Sequence, residues 1–159
     1  MKSATINEIK KELQHIDADD IKAMCLRLAK YKKENKELIT YMLFEANNEQ
    51  TYIENVKEEI SELFKTLPPS NTYLIKKSLR KVLRFAHRQI KYSGQKQTEL
   101  ELRIFFCRKV KEAHIPLHAS TVLYNLYQQQ LKKIADALKG LDEDLAADYQ
   151  QELSFIRNA

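Results

Sequence analysis

Apolar side chains recur every three or four positions along almost the whole chain, with polar side chains between them. This spacing places the apolar positions on one face of an α-helix, whereas a half-buried β-strand needs strict alternation. Thr5 followed by Glu8 has the form of a capping box and predicts a short first helix through Leu13. The pattern then predicts longer helices over about 18–32, 35–46, 48–67, 70–93, 97–113 and 119–139, and a last one after Asp142.

The same spacing predicts which side chains form the core. In the helices over 18–32 and 35–46 it selects Ile21, Met24, Cys25, Leu28, Leu38, Ile39, Met42 and Leu43. In the helix over 119–139 it selects Leu123, Tyr127, Leu131, Ile134 and Leu138. Because the second set forms one continuous line, we expect that helix to be a principal element of the core.

Glycine and proline are scarce, with 2 Gly and 3 Pro in 159 residues. Such a chain cannot build the glycine-rich loops that hold phosphates, and it has no alternating β-branched runs to form the sheet of a nucleotide fold. We therefore expect a single all-α domain over 1–159. It should contain about seven or eight antiparallel helices, arranged as a helical bundle or as a short α-solenoid of the armadillo or HEAT kind.

A weak internal sequence similarity favours the α-solenoid. Leu26-Arg-Leu-Ala29 reappears as Leu83-Arg-Phe-Ala86. If this similarity reflects a true repeat, two three-helix units, over about 18–67 and 71–139, pack together and bury each other's apolar faces. The alternative is that amphipathic helices share a composition and align by chance.

Positive charge is concentrated in the middle of the chain, whose net charge is +5. No acidic residue occurs between Glu62 and Glu99, while the same stretch contains many lysines and arginines. Five of them recur every three or four residues on the predicted basic helix 71–93 and so share one face. We call this set the basic stripe; it consists of Lys77, Lys81, Arg84, Arg88 and Lys91.

The basic stripe has two interpretations. Regularly spaced cations can bind a polyanion such as nucleic acid by displacing its counterions. Alternatively, the glutamates of the helix over 48–67 and the acidic residues after Asp142 neutralise the stripe within the fold. We expect the second arrangement, because acidic helices flank the basic one in sequence.

Catalytic and metal-binding patterns are not found. His114 and His118 have the i, i+4 spacing of helical metal ligands, but Pro116 breaks the helix that would align them. No serine or cysteine has the neighbours of a catalytic nucleophile. We therefore predict no catalytic residue, no metal ligand and no cofactor.

The remaining sequence features concern location. Cys25 and Cys107 lie far apart in apolar helical stretches, which favours reduced thiols. The first residues lack the apolar region of a signal peptide, and no segment is apolar enough to span a membrane. These features predict a cytoplasmic protein that does not interact with membranes.

The segment Asp17 to Leu43 contains Asp-Ala-Asp-Asp-Ile-Lys and later Leu-Arg-Leu-Ala-Lys-Tyr-Lys-Lys-Glu-Asn-Lys-Glu-Leu. It resembles a recurring segment of uncharacterised bacterial all-helical proteins, and this resemblance implies a bacterial, cytosolic origin. It implies no functional residue.

Since no catalytic pattern is present, the sequence favours a non-catalytic helical module that binds another protein or a second copy of itself. The alternative is a nucleic-acid-associated protein that uses the basic helix 71–93. A third hypothesis is an enzyme with an unrecognised site assembled across helices.

Overall fold

The computed structural model describes residues 1–158, and every regular element within them is helical, which confirms the all-α class. A π-helical turn at Tyr41–Glu45 and a 3₁₀ turn at Leu117–Ala119 interrupt the α-helices. The α-helices are α1 (Ile6–Leu13), α2 (Ala18–Tyr31), α3 (Lys33–Thr40), α4 (Glu49–Lys65), α5 (Thr72–Ser93), α6 (Lys96–Glu112), α7 (Thr121–Lys139), α8 (Glu143–Ala147) and α9 (Gln150–Arg157).

The helix ends follow local side-chain chemistry. The predicted capping box is confirmed, since Thr5 Oγ1 accepts from the backbone N–H of Glu8 while the Glu8 carboxylate accepts from the backbone N–H of Thr5. Asn71 caps the start of α5, where its side-chain oxygen accepts a hydrogen bond from the backbone N–H of Leu74. At the other end of α5, Gly94 has φ 69°, a left-handed conformation that glycine adopts without a Cβ penalty.

The single helix predicted after Asp142 is two helices, α8 and α9. The backbone N–H groups of Asp148 and Tyr149 bond to carbonyls three residues earlier, which tightens the chain and ends α8. The Tyr149 hydroxyl donates to Glu101 of α6 at 3.1 Å, while Leu153 and Ile156 of α9 are buried. The break allows both groups to reach their partners.

Contacts divide the chain into two compact units, one of residues Met1–Leu43 and a second that begins at Phe44. The boundary falls inside the first predicted repeat, 18–67. That the segments 18–67 and 71–139 are related repeats stays a prediction.

The second unit is a helical bundle built around α6. This helix contacts α4, α5, α7 and α9, so it has no broad solvent-facing side. Its buried side chains therefore point in several directions, unlike the single face of an amphipathic surface helix. They are Thr98, Leu100, Leu102, Arg103, Ile104, Phe106, Cys107 and Val110.

The predicted core face of α7 is partly wrong. Leu123, Tyr127 and Ile134 are buried as expected, but Leu131 and Leu138 are only half-buried. Gln130 and Ala137 are buried in their place. Gln130 enters the core because it bonds to the buried Arg103 of α6, a polar contact that apolar spacing does not reveal.

The predicted core of the first unit is wrong as well. Among residues 1–40 no side chain is buried, and Met24, Cys25, Leu28, Met42 and Leu43 are all exposed. The reason is geometric, because α2 and α3 pack against each other as a pair within this unit. Two short helices touch along one narrow seam and leave the rest of each apolar face open.

Candidate interaction surfaces

The basic stripe occupies the side of α5 that faces away from the core. The buried side chains of α5 are Ile75, Leu79, Val82, Leu83, Ala86 and Ile90. At about 100° per residue, the stripe is centred roughly opposite that face. Each of its five side chains is exposed.

The expected pairing of the basic stripe with acidic neighbours is wrong. Within the described residues no member of the stripe forms an ion pair. Helix α4 does lie beside α5, since the Tyr52 hydroxyl donates to the backbone carbonyl of Gln89 at 3.0 Å. However, Glu62 of α4 pairs with Lys65, and Lys57 pairs with Glu101 of α6. The stripe is therefore open to solvent and to ligands.

Several other cations of the second unit have a carboxylate partner. They lie within ion-pair distance of a carboxylate: Lys57, Lys65, Lys96, Arg103, Arg108, Lys109 and Lys139. Within the described part of the second unit, these seven cations thus have a carboxylate partner, whereas none of the five cations of the basic stripe has one.

A buried polar network links α5 to the bundle behind the stripe. The Arg103 guanidinium donates to Glu99 at 3.0 Å and to Gln130 at 2.9 Å, and lies 2.9 Å from His87 Nε2. Burial, helped by Arg103, Lys133 and Lys91, lowers the pKa of His87 to about 4. His87 is therefore neutral near pH 7 and can accept a hydrogen bond from Arg103.

Sequence reasoning missed Arg103 and Gln130 as buried residues. The sequence contains only a weak indication that these two side chains are buried. Arg103 lies between Leu102 and Ile104 in α6, a helix whose apolar positions occur on all sides. A polar side chain in such a helix is enclosed by the neighbouring helices. Long polar side chains are expected at surfaces, so only the packing of three helices around Arg103 reveals the network.

Aromatic side chains on α5 have mixed surroundings. Tyr73 is exposed at the start of the helix, and the Lys76 ammonium lies 5.2 Å from the centre of its ring. Phe85 and Tyr92 are half-buried. Tyr73 is therefore the aromatic ring of α5 that is best placed to contact a ligand.

A second candidate surface lies on the first unit. Met24, Leu28 and Tyr31 follow one another at helical spacing on α2 and line a shallow groove together with Arg27. All three side chains are exposed. We call this set the apolar face of α2. Other large exposed apolar side chains of this unit are Ile6, Ile9, Leu13, Leu26, Leu38, Met42 and Leu43.

Charge changes sign along α2. Its N-terminal end carries Asp17, Asp19 and Asp20, whereas its C-terminal end carries Arg27 and Lys30 and is followed by Lys32 and Lys33. Asp20 and Arg27, with Met24 between them in sequence, line a second, neighbouring depression on this helix. The apolar face of α2 therefore has an acidic end and a basic end.

The remaining candidate chemistry is dispersed. His114 follows the end of α6, with a left-handed φ of 52°, while His118 lies in the 3₁₀ turn beside the ring of Tyr124. In residues 1–158 no three His, Cys, Asp or Glu side chains are grouped as metal ligands would be. Over the same residues, no helix combines the length and apolar character needed to cross a membrane.

Comparisons with protein-family models, with curated proteins and with solved structures find no match to this chain.

Proposed function

We propose that this protein is a non-catalytic helical interaction module that associates with a second copy of itself through the apolar face of α2. The observation that carries the proposal is the exposure of the first unit. None of residues 1–40 is buried, although these residues include many large apolar side chains. A unit of about 40 residues needs external support to be stable, and exposed apolar surface of this kind is typical of an interface.

Charge complementarity favours a second copy as the occupant. When two α2 helices lie antiparallel, the acidic end of each meets the basic end of the other. An antiparallel arrangement related by a twofold axis near Met24 brings Asp20 of one copy close to Arg27 of the other, since the two residues lie on opposite sides of Met24. The same arrangement brings the two Met24 side chains together at the axis and places Leu28 of each copy against the turn between Asp20 and Met24 of the other, which removes these apolar side chains from water.

Reciprocal charge reversal tests the antiparallel pairing. Asp20→Lys places like charges at both contacts of its own dimer, and Arg27→Glu does the same with negative charges. Each variant alone should therefore dissociate in sedimentation velocity. An equimolar mixture should form the heterodimer, because Lys at position 20 then faces Glu at position 27 and the two unchanged ends also attract.

Two leucines on α2 provide a matched control. Leu28 is 59% exposed and Leu26 is 60% exposed, but two residues of helix separate their directions by about 160°. Leu28→Glu should dissociate the dimer, because it removes an apolar contact and places a carboxylate beside Asp20 of the other copy, while Leu26→Glu should leave it intact. A chain that is monomeric at all concentrations, or equal effects of the two leucine variants, would contradict self-association through this face.

A further inference from the structure

We infer that the basic stripe of α5 is a binding site for the phosphate backbone of nucleic acid. This inference is independent of self-association, because it rests on a different helix in the other compact unit. Its first support is the unpaired state of the stripe in a bundle that places many of its other cations beside a carboxylate.

The geometry of the stripe suits a linear polyanion. Lys77 and Lys91 are fourteen positions apart in the sequence, so the stripe extends about 21 Å along a straight helix. Duplex DNA advances about 3.4 Å per base pair, so the stripe spans roughly six base pairs of phosphate backbone. Five exposed cations over this length can each contact a separate phosphate.

The surroundings of the stripe are positive and free of acidic side chains along the chain. Arg80 is exposed beside it on α5, and the nearest acidic residues in sequence are Glu62 and Glu99. Lys133 of α7 acts on the same histidine, His87, as Lys91 of the stripe does, so α7 adds a further cation near this side of α5. Glu99 also acts on His87, but it is bound to Arg103.

A membrane surface fits the stripe less well than nucleic acid does. Helices that bind anionic lipid surfaces insert apolar side chains from a face next to their cations. The apolar side chains of α5 from Ile75 onward mostly face the core of the bundle, and the exposed apolar residues Tyr73 and Leu74 lie only at its first turn. Nucleic acid needs no such insertion, because phosphate contacts alone give binding that does not depend on base sequence.

A salt titration tests the inference on the full chain. The probe is a fluorescein-labelled DNA duplex of about 20 base pairs with mixed sequence, and anisotropy reports binding. Five phosphate contacts predict a slope of log K against log salt of about −4.5, which is roughly a 500-fold loss of affinity between about 50 and 200 mM NaCl. A second duplex of unrelated sequence should bind equally well.

Two double variants separate the stripe from net charge. Arg84→Gln with Arg88→Gln should reduce the magnitude of the slope by about two and leave the melting temperature unchanged, since both side chains are exposed and unpaired. Arg108→Gln with Lys139→Gln removes the same charge from cations that pair with Glu112 and Asp136. This control should keep the slope of the unmodified chain.

Three outcomes would overturn the inference. The first is no change in anisotropy at the lowest salt concentration. The second is an equal change of slope in both double variants, which would assign binding to net charge. The third is binding to phosphatidylserine vesicles without binding to the duplex, which would make the stripe a lipid-binding surface.

Discussion

Replacing Arg103 by methionine should destabilise the second unit, because this residue joins three helices. Its guanidinium is buried and contacts Glu99 on α6, His87 on α5 and Gln130 on α7. Methionine keeps much of the length of the arginine stem and adapts to irregular spaces, so the variant removes the polar contacts while leaving only a small cavity.

The magnitude follows from what each partner loses. Gln130 is 2% exposed, so its side-chain oxygen loses its donor where water cannot replace it, at a cost of about 1–3 kcal/mol. Glu99 keeps some contact with solvent, which limits the loss of its ion pair to about 1 kcal/mol. His87 loses one further contact. Since removing a buried charge also relieves a desolvation penalty, we expect a net loss of about 2–4 kcal/mol in the free energy of unfolding.

Urea denaturation followed by circular dichroism measures this loss, and a double-mutant cycle assigns it to the network. Gln130→Leu alone leaves an arginine donor unpaired, whereas the combination with Arg103→Met removes both partners. The two losses should therefore be less than additive, with a coupling of about 1 kcal/mol or more.

The imidazole resonances of His87 provide a second readout. Without Arg103, the pKa of His87 should rise from about 4 but stay below 6.5, because burial is the larger cause of the shift. A loss of stability below about 1 kcal/mol, additive single losses, or an unchanged pKa of His87 would each refute the account of the network.

Two further predictions concern thiol reactivity and acid. In the native protein a thiol reagent should label Cys25 rapidly and Cys107 only after denaturation, because Cys25 is exposed while burial raises the pKa of Cys107 to about 12. Rapid labelling of both thiols would be incompatible with the packing of α6. His87 has a folded pKa of about 4 and an unfolded value of about 6.5, so the unfolded chain binds the proton first and stability falls as the pH drops through this window. At this partly exposed ring the loss should be about 1–2 kcal/mol after solvent screening, and urea titrations between pH 7 and 4.5 should show a smaller loss for His87→Gln.

Much of the fold could be predicted from local signals. The capping box at Thr5, the cap at Asn71 and the left-handed Gly94 involve neighbours within a few residues, so local sequence specifies the start of α1 and both ends of α5. The face of α5 was also predictable, because a helix with one buried side shows its core in the spacing of Leu79, Val82 and Ile90.

Apolar spacing alone failed where a helix has several neighbours or too few. Helix α6 is enclosed on several sides, so its buried positions follow no single stripe, and α2 has a clear apolar stripe with nothing in its own unit to cover it. The spacing of apolar residues predicts that a helix face is apolar, but it does not predict whether another element is present to bury that face.

The sequence by itself determined the all-α class, most helix boundaries and the alignment of five cations on one side of α5, since each depends on residues close together along the chain. Only the tertiary structure decided that these cations form no ion pair within residues 1–158, that Arg103 and Gln130 meet inside the bundle, and that Met24 and Leu28 remain in solvent. Ion pairing and burial depend on which helices become neighbours in space. In the second unit that choice arises from the packing of whole helix faces around α6, and in the first unit from the pairing of α2 with α3, which no local stretch of sequence specifies.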